Sequence, residues 1–158
     1  MGTDYVDVLL LHSPPLEMFD NTVRPYLTAA TRMVEEGKVR TVGLSLGPST
    51  ADELALAVKT TGCQVVEVRF NAMYQAALPA FDLAAERGVG VVVKVPVESG
   101  WLTGKGVHGL FDRSRSRRWT DEDRTRRAEP ADEVSSVLPG GVDLPTAALR
   151  FILGHEAV

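Results

Sequence analysis

Cysteine is almost missing from this sequence: Cys63 stands alone in 158 residues. That excludes an internal disulfide and a cysteine-built metal cluster, and leaves the thiol as a small buried apolar group. Long apolar runs are missing too, since none approaches the roughly 18 to 20 residues of a membrane span. Met1 to Asp7 lack the basic start of a signal peptide. The expectation is a cytoplasmic protein without membrane contact. A formal net charge of -4 argues against nucleic acid as the partner, because phosphate binding rests on a positive field. Basic residues concentrate only between Asp112 and Arg127, where seven arginines stand against Asp112, Asp121, Glu122 and Asp123. This stretch reads as a solvated mobile loop rather than a phosphate clamp. His108 and His155 lack the spacing of metal ligands, and no metal site is expected.

What is present is a repeated unit. With 44% hydrophobic and 24% charged residues, the chain has the size and composition of one domain covering residues 1–158. Tyr5 to Leu11 is a short apolar run halted by His12-Ser13-Pro14-Pro15, which no strand could continue. From Val23 to Glu36 the apolar positions fall on a helical stripe, with Asn21 or Thr22 available to cap its start and Gly37 to end it. The same phrase recurs. Val39 to Ser45 reads as a second strand, followed by a helix capped by Ser49 or Thr50 and stopped at Gly62. Val65 to Phe70, a helix over Leu78 to Arg87, and Val89 to Val95 complete the series. Near-continuous apolar strands separated by helices predict a parallel α/β sheet. Spacing alone leaves open whether that sheet is doubly wound or part of a closed barrel. Residues 98–138 form a long, partly mobile loop region whose later part, Thr120 to Val137, is read as holding a helix, and a last helix runs from Pro145 to Gly154.

In parallel α/β folds functional groups gather at the carboxyl ends of strands, which here means His12, Ser45, the stretch around Phe70-Asn71, and Lys94 onward. The string from Asp4 to Pro15, DYVDVLLLHSPP, resembles the fourth strand of the aldo-keto reductase barrel, which ends in an active-site histidine. GKVRTVGLS over residues 37–45 is similar to the fifth strand, VVEVRFN over 65–71 to the sixth, and residues 88–105 to the seventh strand and its cofactor loop. The resemblance implies a partial (β/α)8 TIM barrel of about four parallel βα units. It implies NADP(H)-dependent interconversion of carbonyls and alcohols, with His12 orienting a small carbonyl substrate. By the same resemblance Ser45, Glu67 and Lys94 lie beside the nicotinamide, and Ser99, Gly100, Leu102 and Lys105 wrap the pyrophosphate.

The chain departs from the family pattern at Leu46, where asparagine is common, at Glu67, where glutamine is common, and at Lys94, where many members stack an aromatic ring. The family's proton-donating tyrosine, with its lysine and aspartate, belongs to the first three strands, and Tyr5, Tyr26 and Tyr74 do not match its motif. The expectation is therefore a truncated or split form, inactive alone and binding NADP(H) weakly or not at all. Half a barrel leaves open sheet edges and an uncovered inner face. Self-association, or pairing with an N-terminal half-barrel partner, would cover them. The alternative is a non-catalytic α/β interaction module that uses those edges.

Overall fold

The computed structural model describes residues 2–104 and 120–158. Four parallel strands form one sheet in chain order: β1 (Val6–His12), β2 (Val39–Ser45), β3 (Val65–Arg69) and β4 (Gly90–Lys94). Between them lie α1 (Arg24–Glu35), α2 (Ala51–Thr60) and α3 (Phe81–Glu86). α1 packs on β2, α2 on β3 and α3 on β4. The face beneath the helices buries Val42, Leu44, Val66, Val68 and Val91. Alternation along each strand sends the neighbouring residues to the other face. There Val8 and Val92 remain 43% and 45% exposed among the described residues.

The start of α1 differs from expectation. Neither Asn21 nor Thr22 caps it, because Phe19–Val23 already forms a wide helical turn and the Arg24 N–H bonds back to the Phe19 carbonyl. A helix that continues from an existing turn has its first N–H groups satisfied by backbone and needs no side-chain cap. α2 shows the expected cap: the Thr50 hydroxyl accepts from the Glu53 N–H. The Glu53 carboxylate turns back to accept from Gly47 N at 3.2 Å and Ser49 N at 2.6 Å. The predicted third helix opens as a 3-10 turn, Leu78–Ala80, with Pro79 in its first positions, before α3 proper. Gly62 and Gly88, with φ of 73° and 65°, reverse the chain after α2 and α3 in the left-handed region where a Cβ is disfavoured. His155 packs edge-on against Phe70 and Phe81, with ring centroids 5.2 and 5.6 Å away.

Contacts group the residues into two units: Met1–Phe70, Ala76–Lys94 and His155–Val158 in one, and Asn71–Gln75 and Val95–Gly154 in the other. The first holds the sheet. The second contains a 3-10 segment, Glu98–Thr103, then α4 (Asp121–Ser136) and α5 (Leu144–Leu153). Leu102, Ala131, Leu144 and Ala148 form its apolar centre, with Met73, Val97, Val134 and Leu138 against them. α4 begins with a capping box between Thr120 and Asp123, so Arg126 and Arg127 ride on a helix rather than in a loop. The more N-terminal arginines of that stretch, with His108 and Trp119, lie outside the described residues.

Asp143 caps α5, accepting from the Thr146 N–H, and this hydrogen bond holds its carboxyl below the ordinary carboxylate value. A depressed folded-state pKa contributes stability above the carboxylate range that is lost as pH falls through the folded value. The melting-temperature gap between the native chain and Asp143→Asn is expected to shrink steadily on acidification. A gap that widens toward low pH would contradict this sign.

Candidate cofactor site at the strand ends

The carboxyl ends of the strands bring three of the sequence-predicted residues into one cluster. His12 pairs in register with Ser45, and Ser45 with Glu67, so these side chains share one face of the sheet. Glu67 pairs with Val92, and Lys94 stands two residues beyond Val92 on that same face. The Ser45 hydroxyl donates to Glu67 Oε1 at 2.8 Å, while Lys94 Nζ donates to Ser45 Oγ at 3.0 Å and to the Leu46 carbonyl at 2.5 Å. Lys94 Nζ also lies 3.6 Å from Glu67 Oε1. Lys94 lies over Ser45, which is only 2% exposed, whereas the Lys94 and Glu67 side chains remain 25% and 24% exposed. The charges largely balance one another across strands β3 and β4.

His12 sits apart from this hydrogen-bonded group, exposed at the end of β1. The turn beyond it is held by the Ser13 N–H, which donates to the Ser45 carbonyl at 2.7 Å. Behind the cluster, fully buried Ser49 accepts from the Arg69 N–H at 2.9 Å and donates to the Leu46 carbonyl, while Glu53 secures the Gly47 and Ser49 N–H groups. The backbone that presents Ser45 and Leu46 is thereby pinned.

In the second unit, Glu98, Ser99 and Gly100 have φ of 45°, 55° and 103°, and Val95 has φ of 60°. Left-handed backbone at Val95, Glu98 and Ser99 needs external support. A buried polar network supplies it. Asn71 Nδ2 donates to the Val95 carbonyl at 2.9 Å and to Glu98 Oε2 at 2.7 Å, and Arg127 donates to Glu98 Oε1 at 2.5 Å. Glu98 is 2% exposed. Ser99, Gly100 and Leu102 all belong to the segment so braced, and the Leu102 side chain is fully buried in the apolar centre. Lys105 lies outside the described residues. Sequence reasoning overlooked Glu98 and Arg127. The one available signal was a carboxylate immediately before Ser99-Gly100, following the apolar run of residues 89–97.

Among the described residues no cluster of three or more histidine, cysteine or acidic side chains is placed to hold a metal ion. No helix among them is long and apolar enough to cross a membrane. Cys63 is buried beside α2, and burial pushes its thiol pKa up.

The aldo/keto reductase family model matches residues 1–158. No curated protein sequence matches the chain. Among solved structures, the holo form of the aldo-keto reductase AKR11C1 from Bacillus halodurans aligns with 23% identity and a TM-score of 0.71 over 99% of this chain and 47% of its own. Its apo form gives 23% identity and 0.69, over 99% of this chain and 50% of its own. The glycerol dehydrogenase AKR11B4 from Gluconobacter oxydans gives 16% and 0.67, over 96% and 47%. At these identities the structures establish the fold: four parallel βα units of a (β/α)8 barrel. The chain spans about half the length of the structures it matches. With the family model covering residues 1–158, the chain belongs to the aldo/keto reductase family.

Proposed function

We propose that this chain carries the nicotinamide side of an NADP(H) site and that it does not reduce carbonyls unaided. The observation that carries this reading is the interlocked Ser45–Glu67–Lys94 cluster at adjoining strand ends. It offers polar groups where the resemblance assigns the carboxamide. The residues fit such a group: Glu67 keeps an acceptor and Lys94 a donor beside it, both partly open to solvent. NADPH, when bound, supplies the hydride. His12, exposed on the same ladder, is the candidate for orienting a small carbonyl substrate by hydrogen bonding. Ser99, Gly100, Leu102 and Lys105 are assigned the pyrophosphate by resemblance alone. A proton donor matching the family's tyrosine is not found among these 158 residues, and an imidazole that orients a carbonyl does not by itself complete a reduction.

Titration with NADPH, followed by cofactor fluorescence, is expected to saturate between micromolar and low-millimolar concentration, with no reduction of simple aldehydes above background. A folded chain that ignores NADPH would overturn the binding half of the proposal. Reproducible turnover lost in His12→Ala would overturn the other half.

A second reading is favoured by the exposure of Val8 and Val92 on one sheet face among the described residues. Exposed aliphatics on an unpartnered sheet support association, either with another copy or with a chain supplying an N-terminal half-barrel. Sedimentation is expected to show self-association at micromolar concentration. A monodisperse monomer with a cooperative melt would contradict it.

A further inference from the structure

We propose that a cleft lined by the end of the 3-10 segment, by α4 and by the start of α5 is a binding site for a small primary alkylammonium, with Asp132 as its counter-charge. The site shares no residue with the strand-end cluster.

The cleft has a volume of about 260 Å3, the space of roughly nine water molecules at liquid density. Its lining follows from the helix sequence. Ala128, Ala131, Asp132 and Ser135 stand three and four residues apart, so they share one face of α4. Two of those four positions are alanine, and the walls they meet are the buried Trp101 and Leu144. Short side chains on the helix leave open the space that longer ones would fill. The seat is thus apolar: an indole, two methyl groups and an isobutyl group.

The polar lining side chains are a carboxylate and a hydroxyl, and both are unspent. Among the described residues neither the Asp132 nor the Ser135 side chain has a hydrogen bond or an ion pair. Asp123, earlier on the same helix, finds Arg126 one turn away. Asp132 has Ala128, Glu129, Ser135 and Ser136 at the corresponding positions, none of them cationic. No basic residue lines the cleft either. What the site lacks is a positive donor.

An ammonium head carries three hydrogens and no acceptor. The Asp132 carboxylate and Ser135 Oγ, one turn apart, can take two of them while a short aliphatic tail covers Ala131, Leu144 and Trp101. A ligand carboxylate would meet Asp132 as a like charge, and an alcohol would gain no Coulomb attraction. A metal ion does not fit: one carboxylate and one hydroxyl are too few ligands, and no cluster of three metal-binding side chains exists among the described residues.

Titrating the 158-residue chain with n-pentylammonium, n-pentanol and n-pentanoate, followed by amide chemical shifts, tests this. Pentylammonium is expected to saturate in the millimolar range, within the efficiency open to six heavy atoms, with the largest shifts at Ala128, Ala131, Asp132 and Ser135. Pentanol should bind about fivefold more weakly, the upper range for an ion pair at an exposed carboxylate, and pentanoate not measurably. Asp132→Asn should bring the amine and the alcohol within about twofold of each other. Ala128→Leu, which fills the cleft from a partly buried helix position, should abolish binding of both. Native chain that binds pentylammonium no better than pentanol, or shows no saturable shift at these four residues, overturns the proposal whether or not a variant folds. So does an amine preference unchanged in Asp132→Asn.

Discussion

Replacing Gly43 by alanine is expected to cost more than about 3 kcal/mol, at the upper end of overpacking effects, and replacement by valine to prevent folding. A Cβ at Gly43 would stand 2.6 Å from Val65 Cγ1 and closer still to the Val65 carbonyl oxygen, a contact no real Cβ makes. The first neighbour is the tip of a side chain; the second is backbone in the β2–β3 ladder, where Gly43 pairs with Val65. Relief requires shifting the strands that hold Ser45 against Glu67. Val65→Ala, introduced as a second change, should recover only a small part of the loss because the carbonyl remains. Chemical denaturation reads the difference directly, and a Gly43→Ala protein as stable as the native chain would show that β2 and β3 do not approach as closely as described.

The second large effect is expected from Arg127→Ala, at about 3 kcal/mol, the lower end for removing one partner of a buried ion pair. For a chain of this size that corresponds to a melting temperature lower by about 6 °C or more. Glu98 is buried and braces a segment with left-handed Glu98 and Ser99, so losing Arg127 removes a cationic partner and a hydrogen bond from it. Arg126, one residue earlier, pairs with Asp123 through a side chain that is 70% exposed, and its truncation should change little because exposed ion pairs are weak. Combining Glu98→Gln with Arg127→Met should recover much of the loss. The buried charge is then gone, and the amide oxygen introduced by Glu98→Gln can still accept from Asn71. Equal small effects at Arg126 and Arg127 would mean that the Glu98 network does not hold this segment.

Much of the architecture was legible because it is written locally. Apolar runs such as Val65–Arg69, glycine stops such as Gly62, and the Thr50 cap lie within a few residues of what they control. The start of α1 was misread because Asn21 and Thr22 satisfy a capping rule that a preceding helical turn makes unnecessary. The site was legible residue by residue but not as a unit. Ser45, Glu67 and Lys94 could each be picked out at a strand end, yet their mutual bonds depend on the register that sets Ser45 opposite Glu67 and brings Lys94 across from β4. The joining of Arg127 to Glu98 has no periodic signature, because the partners lie on different elements 29 residues apart. The arginine-rich stretch therefore read as uniform solvated charge although one of its members neutralises a buried carboxylate.

Under the proposed function NADP(H) binds at the ends of these strands. The most direct measurement is an amide-resolved nuclear magnetic resonance titration of the 158-residue chain with NADP+. The account predicts saturable shifts largest at Ser45, Leu46, Glu67 and Lys94, lost in the Glu67→Gln/Lys94→Met double variant while the rest of the spectrum is retained. A folded native chain whose spectrum does not respond, or responds only away from the strand ends, would contradict it.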